Sequence, residues 1–304
     1  MSGVLSHFFE GVTTALITPF KNGEIDFNSL KTLLRFQIDN GIEGFVVCGT
    51  TGESTTLSLE EKTKLLNFVI TEISGQVPVI VGNGTFSTQE SIYLASVFEK
   101  IKPGGLLTVT PYYNKPPQRG LVKHYAAIAQ STKLPIILYN VPSRTSLKME
   151  PETVLEIAMA NENVVGVKEA AGDIEVIKKL KKICPKDFMI LSGDDGTFTE
   201  AMAYGAQGVI SVLSHVVPSW CVKAAEAGRE SFKLGKKSEV VDKLTSEIKE
   251  VCDLLFCEAN PIPVKWAMKE MGIIESGELR LPLVELDKKF HKPMLDVLRK
   301  MGSL

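Results

Sequence analysis

The residue that most clearly offers chemistry in this chain of 304 amino acids is a lysine, Lys168. It follows the apolar run VVGV and is itself followed by Glu169. A lysine near the end of a buried strand is shielded from water, and burial favours the neutral amine, the form that attacks a ketone to give a Schiff base. The alternative is a lysine that simply reaches solvent or pairs with Glu169, and position alone does not separate these two interpretations.

Hydroxyl and guanidinium groups follow other apolar runs. Tyr139 lies near the end of LPIILYNV, and Arg144 comes shortly after it in the predicted loop. Thr50 and Thr51 lie in the glycine-flanked turn GTTGE, whose backbone N–H groups and hydroxyls suit a carboxylate. Arg144 offers a forked contact to a second carboxylate. Taken singly, however, Tyr139 is more typical of a core aromatic residue and Arg144 of a surface loop.

No cofactor or metal is predicted. GTTGEST lacks the G-K-[ST] ending of a phosphate-binding loop, and GNGTFS lacks the third glycine of a dinucleotide fingerprint. The histidines are dispersed along the chain, and none of the five cysteines is spaced as CxxC, so reduced and mostly buried thiols are expected rather than a zinc site or disulfides. These residues are His7, His124, His215, His291, Cys48, Cys184, Cys221, Cys252 and Cys257.

The composition and the N-terminal sequence argue against a nucleic-acid-binding, membrane or secreted protein. Hydrophobic residues make up 44% of the chain and charged residues 23%, with a net charge of −2, so no basic surplus exists for a nucleic-acid backbone. No apolar run approaches the roughly 18 residues that span a bilayer. The N-terminal segment MSGVLSHFFEGV lacks the basic start and cleavage site of a secretory signal. A cytoplasmic protein without membrane contact is therefore expected.

Apolar runs alternate with longer amphipathic segments. Near-continuous apolar strands that alternate with helices are typical of a parallel sheet covered by helices, and eight such units close a barrel. The sequence therefore predicts an α/β fold, a (β/α)8 TIM barrel, with a doubly wound open sheet as the alternative. The eight runs are VTTALITPF from Val12, GFVVCG from Gly44, VPVIVG from Val77, GLLTVTP from Gly105, LPIILYNV from Leu134, NVVGVKEA from Asn163, DFMILSG from Asp187 and QGVISV from Gln207.

Capping motifs and helical periodicity predict helices in the rest of the chain. Two S-x-x-E capping boxes are predicted, one at Ser58 and Glu61 and one at Ser87 and Glu90. After about residue 228 the alternation stops, and the remaining sequence is helical by its periodicity. We therefore predict a catalytic barrel over residues 1–228 and a C-terminal helical region over residues 229–304. In such a barrel the site lies at the carboxyl ends of the strands, where the residues above are found.

Taken together, these motifs are specific. In this order and spacing the chain resembles the dihydrodipicolinate synthase family, whose wider group includes N-acetylneuraminate lyase and other 2-keto acid aldolases. The resemblance covers nearly the whole chain, including the C-terminal helices. The motifs that carry it are GTTGES, VTPYYNKP, YNVPSRT, VVGVKEAAGD and LSGDD.

The resemblance implies catalytic roles. Lys168 would form a Schiff base with pyruvate, and the resulting enamine would attack L-aspartate-4-semialdehyde, in the biosynthesis of diaminopimelate and lysine. Tyr139 would act as general acid and base. Thr50 would link Tyr139 to Tyr113, a tyrosine that members of this family lend to the neighbouring subunit. A homo-oligomer follows from this, with a catalytic dimer and a tetramer built as a dimer of dimers.

The resemblance also implies binding roles. Thr51 would hold the carboxylate of pyruvate, Arg144 would receive the carboxylate of the aldehyde, and Ile210 would present a backbone carbonyl near the lysine. Two alternatives stay open. Another Schiff-base pyruvate lyase, such as a sialic-acid lyase or a keto-deoxy-sugar aldolase, would share most of these residues but not need Arg144. A non-catalytic barrel that binds a keto acid as a regulator would not need both Tyr139 and Lys168.

Lysine-regulated members of the family carry an effector site at the dimer interface. The positions of this chain that match such a site are Ser54, Glu90 and Tyr112. Lys62 and Leu59 stand where those relatives carry histidines, and Phe86 stands where they carry an asparagine that binds the amino-acid head of the effector. Because Lys62 repels the ammonium of lysine and Phe86 removes hydrogen bonds, we expect weak or no inhibition by L-lysine.

Overall fold

A computed structural model describes residues 10–304. His7 and most of the N-terminal segment that was inspected for a secretory signal lie outside the described residues. The strands, in chain order, are β1 Gly11–Ala15, β2 Phe20–Lys21, β3 Glu24–Ile25, β4 Gly44–Val47, β5 Val79–Gly82, β6 Gly105–Val109, β7 Ile136–Asn140, β8 Val164–Glu169, β9 Met189–Ser192 and β10 Gly208–Ser211.

Eight of these strands form one closed parallel barrel. Its order is β1-β10-β9-β8-β7-β6-β5-β4, and β2 and β3 form a separate antiparallel pair. The register between β1 and β10 joins Gly11 to Gly208 and Thr14 to Ser211, which closes the sheet. Most strand residues are buried because helices cover the outside of the barrel and apolar side chains fill its interior. The predicted (β/α)8 barrel is confirmed; seven of its strands fall within the predicted apolar runs, and β1 begins one residue before its run, at Gly11.

Twelve α-helices surround and extend the barrel within residues 10–304. Three short 3₁₀ turns accompany them, at Ser54–Thr56, Leu213–His215 and Lys288–Phe290. The α-helices are α1 Phe27–Asp39, α2 Leu59–Ile73, α3 Thr88–Glu99, α4 Gln118–Gln130, α5 Pro142–Thr145, α6 Pro151–Ala160, α7 Ile174–Ile183, α8 Phe198–Ala203, α9 Pro218–Lys233, α10 Glu239–Leu255, α11 Ile262–Glu270 and α12 His291–Lys300.

The two predicted capping boxes differ. At the start of α2, the Ser58 hydroxyl accepts from the Glu61 N–H while the Glu61 carboxylate accepts from the Ser58 N–H, so this box is confirmed. At the start of α3 the prediction is wrong in its second half. The Ser87 hydroxyl accepts from the Glu90 N–H, but the Ser87 N–H donates to the hydroxyl of Thr85 at 3.0 Å. Because that N–H is taken, the Glu90 carboxylate has no role in the cap.

The C-terminal helices α10, α11 and α12 pack on one another, and α10 also packs on α8 and α9 of the barrel. Residue 228 lies inside α9, which runs from Pro218 to Lys233, so the division of the chain at that residue stays a prediction. In the part of the chain that the structure describes, no helix combines the length and apolar character needed to cross a membrane. The five cysteines are free thiols, and four of them are buried.

Candidate active site

Lys168 lies in β8 and is only 6% exposed. Its register partner on the neighbouring strand is Tyr139, and the ammonium nitrogen lies 4.5 Å from the centre of the Tyr139 ring. The predicted alternative, a pair with Glu169, is not formed, because the Glu169 carboxylate points to the other face of the sheet. There it accepts from Asn140 Nδ2 at 2.7 Å and from the Ala171 N–H at 2.9 Å. Within residues 10–304, Lys168 has no carboxylate partner.

A cavity of about 210 Å³ opens above Lys168 at the carboxyl ends of the barrel strands. We call it the lysine cavity. The structure brings six of the predicted site residues together in its wall, drawn from four different barrel strands and the loops that follow them. These residues are Thr50, Thr51, Tyr139, Arg144, Lys168 and Ile210.

Residues 49–53, which we call the threonine turn, follow β4 in a fixed conformation. The Glu53 N–H donates to the Thr50 carbonyl at 3.1 Å, and the Thr18 hydroxyl donates to the Gly52 carbonyl at 2.7 Å. Thr50 and Tyr139 line the same cavity, yet no hydrogen bond joins their hydroxyls directly in the described chain. Two carbonyls of the turn are therefore fixed by hydrogen bonds, and both of its threonines line the lysine cavity.

Asn260 is a site residue that the sequence analysis missed. It is 7% exposed and lines the lysine cavity, although it comes from the segment before α11. Its Nδ2 donates to the Thr51 hydroxyl at 2.9 Å, and its backbone carbonyl accepts from the Arg144 guanidinium at 3.1 Å. It thereby joins the two predicted carboxylate-binding residues. The only sequence signal was a polar residue before Pro261 in a stretch that otherwise reads as helical.

Two residues of the LSGDD motif, Gly193 and Asp195, support the site: the first leaves space for Lys168, and the second fixes the chain after β10. A Cβ built on Gly193 would lie 2.7 Å from the Cε of Lys168, so only glycine leaves space for the lysine side chain. Asp195 is 2% exposed, and one of its oxygens accepts from the N–H groups of Val212 at 2.9 Å and Leu213 at 3.0 Å. Burial raises the pKa of the Asp195 carboxyl above its usual value, despite these hydrogen bonds. Asp195 thus fixes the chain just after β10, which carries Ile210.

Tyr113 does not line the lysine cavity of its own chain. Its side chain is 92% exposed, and its backbone lies in the left-handed region at a φ of 71°. An exposed tyrosine held in a defined backbone conformation is available to a neighbouring molecule. The neighbouring Tyr112, in contrast, is half-buried and packs edge-to-face on Phe86 with 5.6 Å between ring centres.

A second cavity of about 600 Å³ adjoins the first, and both are lined by Thr50, Tyr139 and Arg144. We call it the side cavity. The predicted effector residues Ser54, Glu90 and Tyr112 all line it, together with Lys62 and Phe86. Burial, and to a lesser extent the Glu90 carboxylate, raises the pKa of the Tyr112 phenol. Leu59 is the first residue of α2 and packs against the hydrophobic core instead.

The fold and the cavity together define a class of protein: a (β/α)8 barrel with a buried lysine, without a carboxylate partner in residues 10–304, at the carboxyl ends of its strands. Comparison with known proteins gives the family. The model of the dihydrodipicolinate synthetase family matches residues 8–301. This chain belongs to the dihydrodipicolinate synthetase family.

Individual relatives agree with the family match. A 4-hydroxy-tetrahydrodipicolinate synthase of Shewanella sp. (strain MR-7) is 45% identical over 291 residues, which cover 95% of this chain and 97% of the relative. The crystal structure of dihydrodipicolinate synthase from Thermotoga maritima superposes with a TM-score of 0.93 at 42% identity and covers 98% of this chain and 100% of its own. The Acinetobacter baumannii enzyme complexed with pyruvate gives a TM-score of 0.91 at 39% identity, with 97% and 100% covered.

The contact between Gly193 and Lys168 yields a prediction. Gly193→Ala should lower turnover by on the order of 10²-fold, because the new methyl group displaces the Lys168 side chain and a shift of about 1 Å has that effect. The matched control is Gly196→Ala, where the nearest atom to a new Cβ is a carboxylate oxygen of Asp194 at 3.5 Å. Steady-state kinetics of both variants give the test, and equal activity of the two variants would contradict it.

Proposed function

We propose that this chain is a 4-hydroxy-tetrahydrodipicolinate synthase, which condenses pyruvate with L-aspartate-4-semialdehyde in the biosynthesis of diaminopimelate and lysine. The observation that carries the proposal is the buried amine of Lys168, which lines the lysine cavity beside Tyr139 and has no ion-pair partner within residues 10–304. An unpaired amine in such a place is a poor contributor to stability but a suitable nucleophile. Family membership and the names of the relatives support the same activity.

In the proposed reaction the Lys168 amine attacks the C2 carbonyl of pyruvate, and water leaves as the iminium forms. The iminium withdraws electrons, so a proton leaves the C3 methyl group and an enamine results. The C3 carbon then bonds to the aldehyde carbon of the second substrate. Finally, the amino group of that substrate displaces Lys168 from C2 and closes the ring, which frees the lysine. The aldehyde oxygen takes up a proton as the carbon–carbon bond forms. Every step is a proton transfer, an addition to a carbonyl or imine carbon, or the loss of water or of the lysine amine, and none requires a redox partner.

In this scheme Tyr139 donates and accepts the protons, because it is the register partner of Lys168 on the neighbouring strand. Thr50 lines the same cavity and relays protons between Tyr139 and Tyr113 of a neighbouring subunit. Such a hydroxyl chain contributes part of the roughly 10²–10⁴-fold effect of general acid–base catalysis. The relay requires the second chain, because Tyr113 is exposed and does not line the lysine cavity of its own chain.

The two carboxylates of the substrates have separate proposed positions. Thr51 binds the carboxylate of pyruvate with its hydroxyl and backbone, and Asn260 fixes that hydroxyl. Arg144 receives the carboxylate of the aldehyde at the border between the lysine cavity and the side cavity. The backbone carbonyl of Ile210 faces the site of iminium formation.

Arg144 also separates this proposal from the rival lyases. A polyhydroxylated acceptor, as in sialic-acid cleavage, has no need of a guanidinium at this position, whereas a small acceptor with its own carboxylate does. A purely regulatory keto-acid binder would need neither the amine of Lys168 nor the phenol beside it. The condensation of pyruvate with aspartate semialdehyde is therefore the function that the site supports best.

Trapping with borohydride tests the nucleophile. Wild-type protein incubated with pyruvate and reduced should gain the mass of one pyruvate adduct on Lys168, and Lys168→Ala should gain none while keeping its circular dichroism spectrum. Lys186→Ala, at an exposed lysine on the barrel surface, is the control and should be trapped like wild type. Coupled turnover with aspartate semialdehyde, beside sialic-acid cleavage, then identifies the reaction. A pyruvate adduct in Lys168→Ala would refute the assignment.

The role of Arg144 is tested by comparing the KM values of its alanine variant for the two substrates. Arg144→Ala should raise the KM for aspartate semialdehyde far more than the KM for pyruvate, because it removes a charge-assisted contact of about 2–4 kcal/mol to one substrate only. Arg35→Ala, at an exposed arginine on α1, should change neither value. Equal losses for both substrates would mean that Arg144 has a structural role.

We further propose that the active form is a dimer, assembled into a tetramer as a dimer of dimers, and that it acts in the cytoplasm. The exposed position of Tyr113 supports an assembly in which each chain completes the site of its neighbour. The five free cysteines suit a reducing compartment.

Mixed dimers test the shared tyrosine. Inactive Tyr113→Phe chains combined with inactive Lys168→Ala chains should regain up to half of the wild-type activity per dimer, because one of the two sites then holds both groups. The control pair combines Lys168→Ala with Tyr139→Phe chains, which leaves a defect in both sites. Activity must be measured on purified heterodimers. No recovery in the first pair would argue against a site shared between chains.

We propose that the side cavity responds weakly, if at all, to L-lysine. Lys62 places a positive charge near the expected position of the effector ammonium, and like charges at close range cost on the order of a few kcal/mol at intermediate dielectric. Phe86 offers no hydrogen bond from its side chain. Glu90, whose carboxylate is not used in the helix cap, is the one remaining anionic partner lining this cavity beside the buried Glu53.

A lysine titration measures this directly. The wild-type protein should keep at least half of its activity at millimolar L-lysine, whereas a variant with Lys62→His and Phe86→Asn should become more sensitive, since each tenfold gain in affinity needs only about 1.4 kcal/mol. Strong inhibition of the wild-type protein below one millimolar would show that Ser54, Glu90 and Tyr112 suffice for binding.

A further inference from the structure

A fully buried ion pair lies behind the threonine turn. Lys265 of α11 donates to the carboxylate of Glu53 at 2.5 Å, and both side chains have no exposed area. The same ammonium donates to the Glu278 carbonyl at 2.8 Å and lies 4.1 Å from the centre of the Phe20 ring. The second carboxylate oxygen of Glu53 accepts from the Arg280 N–H at 3.1 Å. Each charge is thus fully surrounded by partners.

This pair is directly connected to the site. The Glu53 N–H donates to the Thr50 carbonyl, and the Glu53 backbone lies in the left-handed region at a φ of 53°, which a residue other than glycine adopts only when its surroundings hold it there. Asn260, just before α11, donates to the Thr51 hydroxyl. One short segment of the C-terminal region therefore holds both threonines, one through Glu53 and the other directly.

Stability alone does not account for a pair in this position. Burial lowers the pKa of the Lys265 ammonium to about 8, even though the carboxylates of Glu53 and Glu278 act in the opposite direction. The loss of hydration therefore outweighs the attraction between the partners. Buried pairs of this kind can often be replaced by uncharged side chains of similar volume without loss of stability. What an uncharged replacement loses is the fixed geometry that two charged and fully hydrogen-bonded groups impose.

We propose that Lys265 is a positioning residue for the condensation: by fixing the Glu53 carboxylate, it sets the conformation of the threonine turn and so the places of Thr50 and Thr51 in the lysine cavity. The proposal rests on the proposed function of the chain. Lys265 touches no substrate, since it lies on the far side of the turn and lines neither cavity. The C-terminal region is on this view part of the active site and not an addition to the barrel.

The test uses the double variant Glu53→Gln with Lys265→Met, which removes both charges and leaves neither unpaired. We expect kcat to fall at least about tenfold, towards the roughly 10²-fold effect of a displacement near 1 Å, while Lys168 is still trapped by pyruvate and borohydride. The matched control is Lys21→Met, which breaks an exposed ion pair with Glu275, on the same C-terminal segment, and does not touch the turn. Lys21→Met should keep wild-type kinetics.

Hydrogen exchange gives a readout that does not depend on turnover. The Glu53 amide should exchange at least about tenfold faster in the double variant than in the wild type or Lys21→Met, because its bond to the Thr50 carbonyl opens more often. Should the double variant fail to fold, Lys265→Arg keeps both charges paired while the larger guanidinium shifts the Glu53 carboxylate, and it is expected to show the same two changes.

A lower melting temperature with unchanged kcat and unchanged exchange at Glu53 would overturn the proposal, since the pair would then be merely structural. Failure of the proposed function would look different. In that case the wild-type protein itself would give no pyruvate adduct and no turnover, while the exchange experiment would still report on the turn. The two failures are therefore distinguishable.

Discussion

Hydrogen bonds between β1 and β10 close the sheet, and this closure places every other feature of the site. Gly11 to Thr14 pair with Gly208 to Ser211 across the seam. With the seam closed, all eight parallel strands end at one rim, so residues far apart in the chain meet in one cavity. The fixed register then sets neighbours along the rim, as for Lys168 and Tyr139. The arrangement needs no support from the loops to bring the amine and the phenol together.

The buried lysines Lys168 and Lys265 differ in their surroundings, and the surroundings suit each lysine to a different role. Lys265 is enclosed by Glu53, a carbonyl and an aromatic ring, so all its contacts are satisfied within the chain. Lys168 has an aromatic neighbour but lacks an anionic partner in residues 10–304, and Gly193 leaves its side chain room to extend into the cavity. The first lysine is therefore suited to holding structure and the second to reacting with a ligand.

Much of the fold follows from local patterns. Apolar runs predicted all eight barrel strands, and the Ser58–Glu61 capping box formed as expected, because both depend on residues close in sequence. The box at Ser87 failed in part because the Thr85 hydroxyl, also local, competes for the same N–H. Strand ends with unusual polar residues predicted which side chains would line the lysine cavity, since a barrel brings those ends together.

Contacts between distant segments of the chain could not be predicted from the sequence. Asn260 meets Thr51 across 209 positions, and nothing in the pattern around either residue indicates the other. The same holds for Gly193, whose need to be glycine comes from the side chain of Lys168 on the next strand. The sequence therefore predicted residues that line the lysine cavity but not Asn260 and Gly193, which contact them from distant parts of the chain.

The ion pair between Glu53 and Lys265 also bears on the order in which the protein is made. The two residues are separated by 212 positions, so during synthesis the carboxylate of Glu53 emerges long before its counter-ion. On the proposed role of Lys265, that carboxylate lacks its ion-pair partner until α11 has left the ribosome, and the turn beside it is held less firmly until then. The barrel strands can associate earlier, but the wall of the lysine cavity becomes complete only with Asn260, in the last quarter of the chain. A nascent or prematurely released barrel would thus lack the Asn260 part of the cavity wall and the counter-ion of Glu53.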